Sequence, residues 1–254
     1  MKIGAQLFTV RDFATNLEDF SETLKKIADI GYTTVQVSGT CEFEAEWLRD
    51  ELAKNGLSCV LTHTKPDKML DDPLKVCRDH DIFGCRNIGL GMMQNTKSGM
   101  PSAYAEFLKK FTPVINAFKD NGHKFFYHNH HVEFERDENG ILYLDRMCED
   151  FSADLFGITF DTYWAQVGGV DPATYLSKLA GRVECIHLKD LAIISREQRM
   201  AVVGEGNINF DRVFEVAERV GVEYMLVEQD NCYGENPFDC LTRSYKYLKA
   251  QGFN

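Results

Sequence analysis

Ile158-Thr159-Phe160-Asp161 is a short apolar run that ends abruptly in a carboxylate. A run of this length, bounded by polar residues, reads as a buried strand. Its final carboxylate needs a partner, because charged residues are rarely enclosed unpaired. Three further runs share the design: Phe125-Phe126-Tyr127-His128, Cys185-Ile186-His187 and Met225-Leu226-Val227-Glu228. Each ends in a residue able to bind a divalent metal. In a barrel of parallel strands those ends meet on one face, where such enzymes place their chemistry. Residues far apart in the chain then share one ion.

Working outward, strands and helices alternate along the whole sequence. The pattern predicts strands at 3–8, 33–37, 57–62, 85–90, 124–128, 156–160, 183–188 and 223–228. It predicts helices at 17–30, 44–54, 72–82, 102–121, 145–151, 171–179, 209–220 and 238–250. The first helix shows Leu17, Phe20, Leu24, Ile27 and Ala28 at helical spacing, with Gly31 as its stop. Asp137-Glu138-Asn139-Gly140 is a turn signal. It predicts a small surface hairpin pairing Val132-Glu133-Phe134 with Leu142-Tyr143-Leu144. Regular βα alternation implies a parallel sheet. The chain has 254 residues, close to the roughly 250 typical of one (β/α)8 barrel. Residues 1–254 are therefore expected to form a single TIM-barrel domain. No GxGxxG follows the first strand, which argues against a dinucleotide-binding sheet.

Composition narrows the function. With 44% hydrophobic and 26% charged residues, the chain reads as an ordinary globular protein. A net charge of −11 disfavours nucleic acid and anionic membrane as partners. No run approaches the roughly 18 apolar residues of a membrane helix, and Met1-Lys2-Ile3-Gly4 has no signal-peptide pattern. The eight cysteines are scattered without a CxxC pair, which fits reduced thiols in a cytoplasmic protein.

Asp161, His187 and Glu228 are the centre of the chemical case. Any one of these acids alone is explained by a helix cap or a nearby Lys or Arg. Three ligand-type residues in the same strand-end position favour a shared site. His128 begins His128-Asn129-His130-His131, where either His128 or His130 is the fourth ligand. Two nitrogens with two carboxylates suit Mn²⁺, Zn²⁺ or Co²⁺ better than Ca²⁺ or Mg²⁺. Lys189 follows His187 directly, placed to neutralise an enolate or hold a sugar hydroxyl or phosphate. His63 ends the third strand at the same rim. Glu205, in a flexible loop after strand seven, and Trp164, an aromatic platform for a sugar ring, complete the substrate-binding candidates. Arg196 and Arg199 share the Glu205 loop and read as solvated.

Several segments resemble the sugar phosphate isomerase/epimerase family of xylose isomerase-like TIM barrels. They are Gly4-Ala5-Gln6-Leu7-Phe8-Thr9-Val10-Arg11, His128-Asn129-His130-His131-Val132-Glu133-Phe134, Phe160-Asp161-Thr162-Tyr163-Trp164, Gly168-Gly169-Val170-Asp171-Pro172, Ile186-His187-Leu188-Lys189-Asp190, Val203-Gly204-Glu205-Gly206 and Val227-Glu228-Gln229-Asp230. Relatives include ketose 3-epimerases, hydroxypyruvate isomerase, inosose dehydratase and subunits that cleave 3-oxo-glycosides. The resemblance implies a metal, often Mn²⁺, held by Glu, Asp, His and Glu, with the two glutamates moving the proton. Carried over by motif, the last three are Asp161, His187 and Glu228, and His128 replaces the first glutamate. Trp164 stands where many relatives carry a histidine, and Gln36 where many carry a glutamate.

The resulting expectation is metal-assisted proton transfer beside the carbonyl of a small sugar, keto-sugar or cyclitol, phosphorylated or not. Glu228, His128 and Lys189 are the catalytic candidates, and the metal set is His128, Asp161, His187 and Glu228. The alternatives are elimination from a keto-cyclitol or 3-oxo-glycoside, and a non-catalytic sugar-binding subunit. Barrels of this type often pair, so a homo-oligomer is expected by analogy.

Overall fold

The computed structural model describes residues 1–254. Eight parallel strands close into a barrel: β1 (Lys2–Gln6), β2 (Thr34–Val37), β3 (Ser58–His63), β4 (Asn87–Leu90), β5 (Lys124–His128), β6 (Phe156–Asp161), β7 (Cys185–Leu188) and, after a two-stranded hairpin β8 (Asp190–Ile194) and β9 (Glu197–Ala201), β10 (Tyr224–Val227). Neighbours follow chain order around the ring, and β10 pairs with β1 to close it. The outer layer contains α1 (Leu17–Ile30), α2 (Ala45–Lys54), α3 (Pro66–Asp71), α4 (Pro73–Phe83), α5 (Met100–Asp120), α6 (Tyr143–Asp150), α7 (Thr162–Val167), α8 (Pro172–Leu176), α9 (Phe210–Val220) and α10 (Pro237–Ala250). No helix is long and apolar enough to cross a membrane. None of the eight cysteines is in a disulfide.

Strand alternation sorts the side chains into two compartments. Phe125 and Tyr127 of β5 pack in the main core with Phe107 of α5 and Phe156, between strands and helices. Phe126 points the other way and joins Leu61, Cys185 and Leu226 in a small separate cluster inside the barrel. That interior is tight. A Cβ on Gly157 would lie 2.3 Å from the Phe126 ring, so β6 has no side chain at this level. Continuing the inward set by two residues per strand brings Gln6, Gln36, His128, Asp161, His187, Lys189 and Glu228 to the C-terminal mouth. In the β6–β7 register Asp161 sits directly opposite His187.

Three expectations are corrected. β1 stops at Gln6, and Leu7–Phe13 is a 3₁₀ run that starts where the Phe8 N–H donates to Gln6 Oε1 at 2.6 Å. The hairpin across 132–144 is a single bridge, Arg136 with Leu142. Val132–Phe134 coils into a 3₁₀ turn because buried Glu133 accepts from the His130 N–H, and Tyr143 already opens α6. The segment after β7, read as a flexible loop, is the β8–β9 antiparallel hairpin.

Candidate active site

Ligand atoms of His128, Asp161, His187 and Glu228 all lie within 4.8 Å of one another. All four residues are buried, with Asp161 and His187 0% exposed and Glu228 3%. His128 Nε2 is 3.2 Å from Asp161 Oδ2, and His187 Nδ1 is 2.9 Å from Glu228 Oε2. Of the two histidine candidates for the fourth position, His128 joins the cluster. His130 stacks edge-on against it, ring centres 4.6 Å apart.

Asp161 divides its two oxygens. Oδ1 accepts the Trp164 N–H at 2.8 Å and caps α7. Oδ2 faces His128, His187 and Lys189. The helix-cap explanation and the shared-site explanation therefore both hold for this residue, one per oxygen.

Outer contacts orient the two imidazoles. His187 Nε2 lies 2.6 Å from Gln36 Oε1, and His128 Nδ1 lies 3.0 Å from the Gly91 carbonyl. Each ring donates its outer N–H to an oxygen and turns its other nitrogen inward. Glu228 Oε1 accepts from Gln6 Nε2 at 2.8 Å, which leaves Oε2 facing the centre. His187 Nδ1 is buried and has no hydrogen-bond partner, while Glu228 Oε2 faces it with the Lys189 ammonium also 2.9 Å away. Electron-pair donors that converge in this way, the His187 nitrogen orphaned among them, fit a bound divalent cation.

Lys189 supplies the only ammonium inside the cluster. It is 1% exposed, 3.2 Å from Asp161 Oδ2, 2.9 Å from Glu228 Oε2 and 3.1 Å from Asp230 Oδ1. Burial alone would lower its pKa, but the three carboxylates hold it above the ordinary lysine range. Burial likewise pushes Asp161 and Glu228 upward, and Lys189 with the histidines reverses this, holding both below the usual carboxylate range. Asp230 is pushed up to about 7 by burial and by neighbouring Glu228. Burial and then His128 lower His63 and His130, so both rings are neutral at neutral pH.

A cavity of about 400 Å³ opens onto this centre, lined by Gln6, His63, His128, His130, Lys189 and Glu228 among others. The His63 ring lies 5.2 Å from that of His128 and 5.6 Å from that of His187. Trp164 backs His130, ring centres 5.2 Å apart, with Lys189 Nζ 5.6 Å from the indole. Glu205 is not brought to the site. It is exposed and paired with Arg243 of α10 at 2.8 Å. Its loop is held by distant Asp190, whose carboxylate accepts the Gly204 and Gly206 N–H groups and turns the intervening side chain outward. Arg199 pairs with Glu197 on the hairpin, and Arg196 is exposed.

Asp230 and Gln6 escaped the sequence reading as site residues. Asp230 carried a signal, since it lies two positions beyond Glu228 and so shares its direction if the strand continues. Gln6 carried a weaker one, as a polar residue ending an apolar strand.

The model of the xylose isomerase-like TIM barrel family matches residues 24–249. An inosose dehydratase of Clostridium beijerinckii is 28% identical over 151 residues, covering 52% of this chain and 49% of that protein. The match thus spans about half the length of that relative. An inosose dehydratase of Geobacillus kaustophilus is 32% identical over 269 aligned positions, covering 90% of this chain and 83% of that protein. The crystal structure of a sugar phosphate isomerase/epimerase from Parabacteroides distasonis superposes with a TM-score of 0.81 at 21% identity. That superposition covers 98% of this chain and 93% of that one, and shows a common fold.

Proposed function

The chain belongs to the xylose isomerase-like TIM barrel family, and on that premise we propose that it is a metal-dependent sugar isomerase/epimerase. It moves a proton next to the carbonyl of a small sugar, keto-sugar or cyclitol. The observation that carries this reading is the convergence of His128, Asp161, His187 and Glu228 within 4.8 Å at the mouth of a cavity, with His187 Nδ1 buried, 2.9 Å from Glu228 Oε2 and without a hydrogen-bond partner. His128, Asp161, His187 and Glu228 hold the ion, and their two nitrogens and two carboxylates favour Mn²⁺, with Zn²⁺ or Co²⁺ as alternatives. When bound, the ion supplies Lewis-acid charge stabilisation beside the substrate carbonyl.

The remaining work falls to the side chains. Glu228 takes the proton: it is ionised, as a base must be, and Gln6 fixes its orientation. Lys189 sets a permanent positive charge beside the oxygen that becomes electron-rich. With His128 engaged as a ligand, His130 serves the opposite face, since its Nδ1 is buried without a partner. His63 and the edge of the cavity position the sugar. The eight free cysteines support a cytoplasmic setting.

The test is solvent hydrogen exchange. The protein, loaded with Mn²⁺ and given a panel of ketoses and inososes in D₂O, should introduce deuterium beside the carbonyl of one of them. The Glu228→Gln protein should keep its fold and lose this exchange, and retained turnover would sink the assigned role.

A second reading is elimination, which starts with the same proton removal and then expels water or an alcohol. His128 favours it, because a histidine where a second glutamate base is expected leaves one carboxylate to move protons. The two curated relatives described above are inosose dehydratases. Product mass separates the readings, since epimerisation conserves it and elimination does not.

A further inference from the structure

Resting on that sugar-enolising reading, we infer that the substrate is an uncharged, unphosphorylated sugar or cyclitol. Barrels of this kind frequently gather a substrate phosphate on backbone amides of the loops after the seventh and eighth strands. Here the loop after β7 is filled by the protein's own anion. The Asp190 carboxylate, 0% exposed, accepts four N–H groups: Leu191 at 2.7 Å, Gly204 at 3.0 Å, Gly206 at 2.9 Å and Ile208 at 3.2 Å. The fit leaves no room for a second occupant, since a Cβ on Gly206 would lie 2.4 Å from Asp190 Oδ1. The loop after β10 is committed as well. The Gln229 N–H donates to Thr9 Oγ1 at 3.0 Å, and the Tyr233 N–H donates to Asn231 Oδ1 at 2.7 Å. Its acidic residues Glu228, Asp230 and Glu235 would repel a phosphate dianion.

The cavity holds no uncommitted cation. Lys189 is engaged by three carboxylates, and Lys65 at the rim is paired with Glu42. Arg11 donates to the Phe8 carbonyl at 2.8 Å and stacks on the Phe8 ring, beside a neighbouring cleft that also contains Asp12, Asp230 and Glu235. Around Lys189 the carboxylates of Asp161, Glu228 and Asp230 outnumber the one ammonium, so the floor of the cavity has no cation to spare for a phosphate. Two imidazole atoms of the cavity lining remain without a partner, His63 Nε2 and His130 Nδ1, with the Ser38 hydroxyl hydrogen-bonded to His63 beside them, a set that suits sugar hydroxyls.

The test reads binding, not turnover, on the wild-type protein. Each of a panel of ketoses and inososes is paired with its phosphate monoester, and affinity is followed by tryptophan fluorescence, with Trp164 beside the cavity as reporter. Among the pairs that bind, the neutral member should bind roughly tenfold or more tightly than its ester, because like-charge juxtaposition is costly. Millimolar inorganic phosphate should leave both the signal and the thermal midpoint unchanged. An ester that binds more tightly than its parent sugar, or phosphate that competes with the sugar, would overturn the inference. A second arm uses Asp190→Ala, which empties the amide cradle. Inorganic phosphate should then raise the midpoint of the variant and not that of the wild type; no difference would count against the cradle. A failure of deuterium exchange would remove the catalytic reading and leave these affinity ratios standing, so the two are separable.

Discussion

His187 turns Nδ1 toward Glu228 Oε2 at 2.9 Å while its Nε2 sits 2.6 Å from Gln36 Oε1. The outer amide fixes the ring, and the inner nitrogen is left for a ligand. The first prediction follows from this arrangement. The purified protein should bind one divalent ion per chain, measurable by elemental analysis, and His187→Ala should abolish the stoichiometric ion. At a free Mn²⁺ concentration about a hundred times its Kd, binding to the folded state adds about 2.7 kcal/mol of stability. A chelator should lower the thermal midpoint of the wild type and leave that of His187→Ala unmoved. An ion-free protein whose midpoint ignores the chelator would instead support a non-catalytic sugar-binding subunit.

Gln36 provides a subtler test, because it is 0% exposed and does not line the cavity. Gln36→Leu keeps the volume and removes the oxygen that orients His187. Loss of such an outer partner costs about 10- to 100-fold in metal affinity. We expect that loss by metal titration, with the barrel unchanged by circular dichroism. Gln36→Glu should preserve the acceptor and retain tight binding. Equal affinity in Gln36→Leu and wild type would show that His187 is oriented by packing alone.

Lys189→Met removes the ammonium from a carboxylate cluster in which Asp161 and Glu228 are buried and Asp230 is partly so, and preserves the stem. Breaking a buried ion pair by deleting one partner typically costs about 3–5 kcal/mol, because the remaining charges are uncompensated. Here three carboxylates are left facing one another. The ion-free variant should therefore unfold at markedly lower urea concentration than wild type. Saturating Mn²⁺ should recover part of the loss by neutralising Asp161 and Glu228. Exchange activity should stay low in the loaded variant, since the charge beside the carbonyl is gone. A variant as stable as wild type would mean that Lys189 contributes little net energy to the centre.

The strand ends were legible because their pattern is local: an apolar run stops at one ligand-type residue, and alternation fixes its direction. Asp161, His187 and Glu228 could be placed from that pattern before any contact was known. The joint ownership of Lys189 could not, since Asp161, Glu228 and Asp230 surround it only once the barrel has closed. Glu205 misled for a related reason. Its Gly204-Glu205-Gly206 setting suggests an adaptable loop over the site, yet Asp190 pins the amides and Arg243 draws the side chain outward. The β8–β9 hairpin was hidden by its composition. Ile193 and Ile194 are exposed, and Ser195 and Arg196 turn the chain with positive φ, which neither residue type advertises.

His80 links pH to stability away from the metal cluster. It is 4% exposed, with Nδ1 2.7 Å from the Val76 carbonyl and Nε2 2.8 Å from Thr62 Oγ1. The Nδ1–H donates to Val76, and Nε2 accepts the Thr62 hydroxyl, so the neutral ring satisfies both contacts. Burial lowers its pKa to about 4 from a reference value of 6.5. As pH falls, the unfolded chain therefore takes up the proton first. The contribution of His80 is fully present above pH 6.5, declines through the interval below it and is lost below about 4. A difference of about 2.5 units corresponds to about 3 kcal/mol, at roughly 1.36 kcal/mol per unit. Urea unfolding at a series of pH values should show a shallower decline between pH 6.5 and 4 for His80→Gln than for wild type. His63 and His130 also resist protonation and give both proteins a common background slope. Parallel curves for the two proteins would mean that His80 becomes protonated in the folded state, with Thr62 or water rearranging to accommodate the charge.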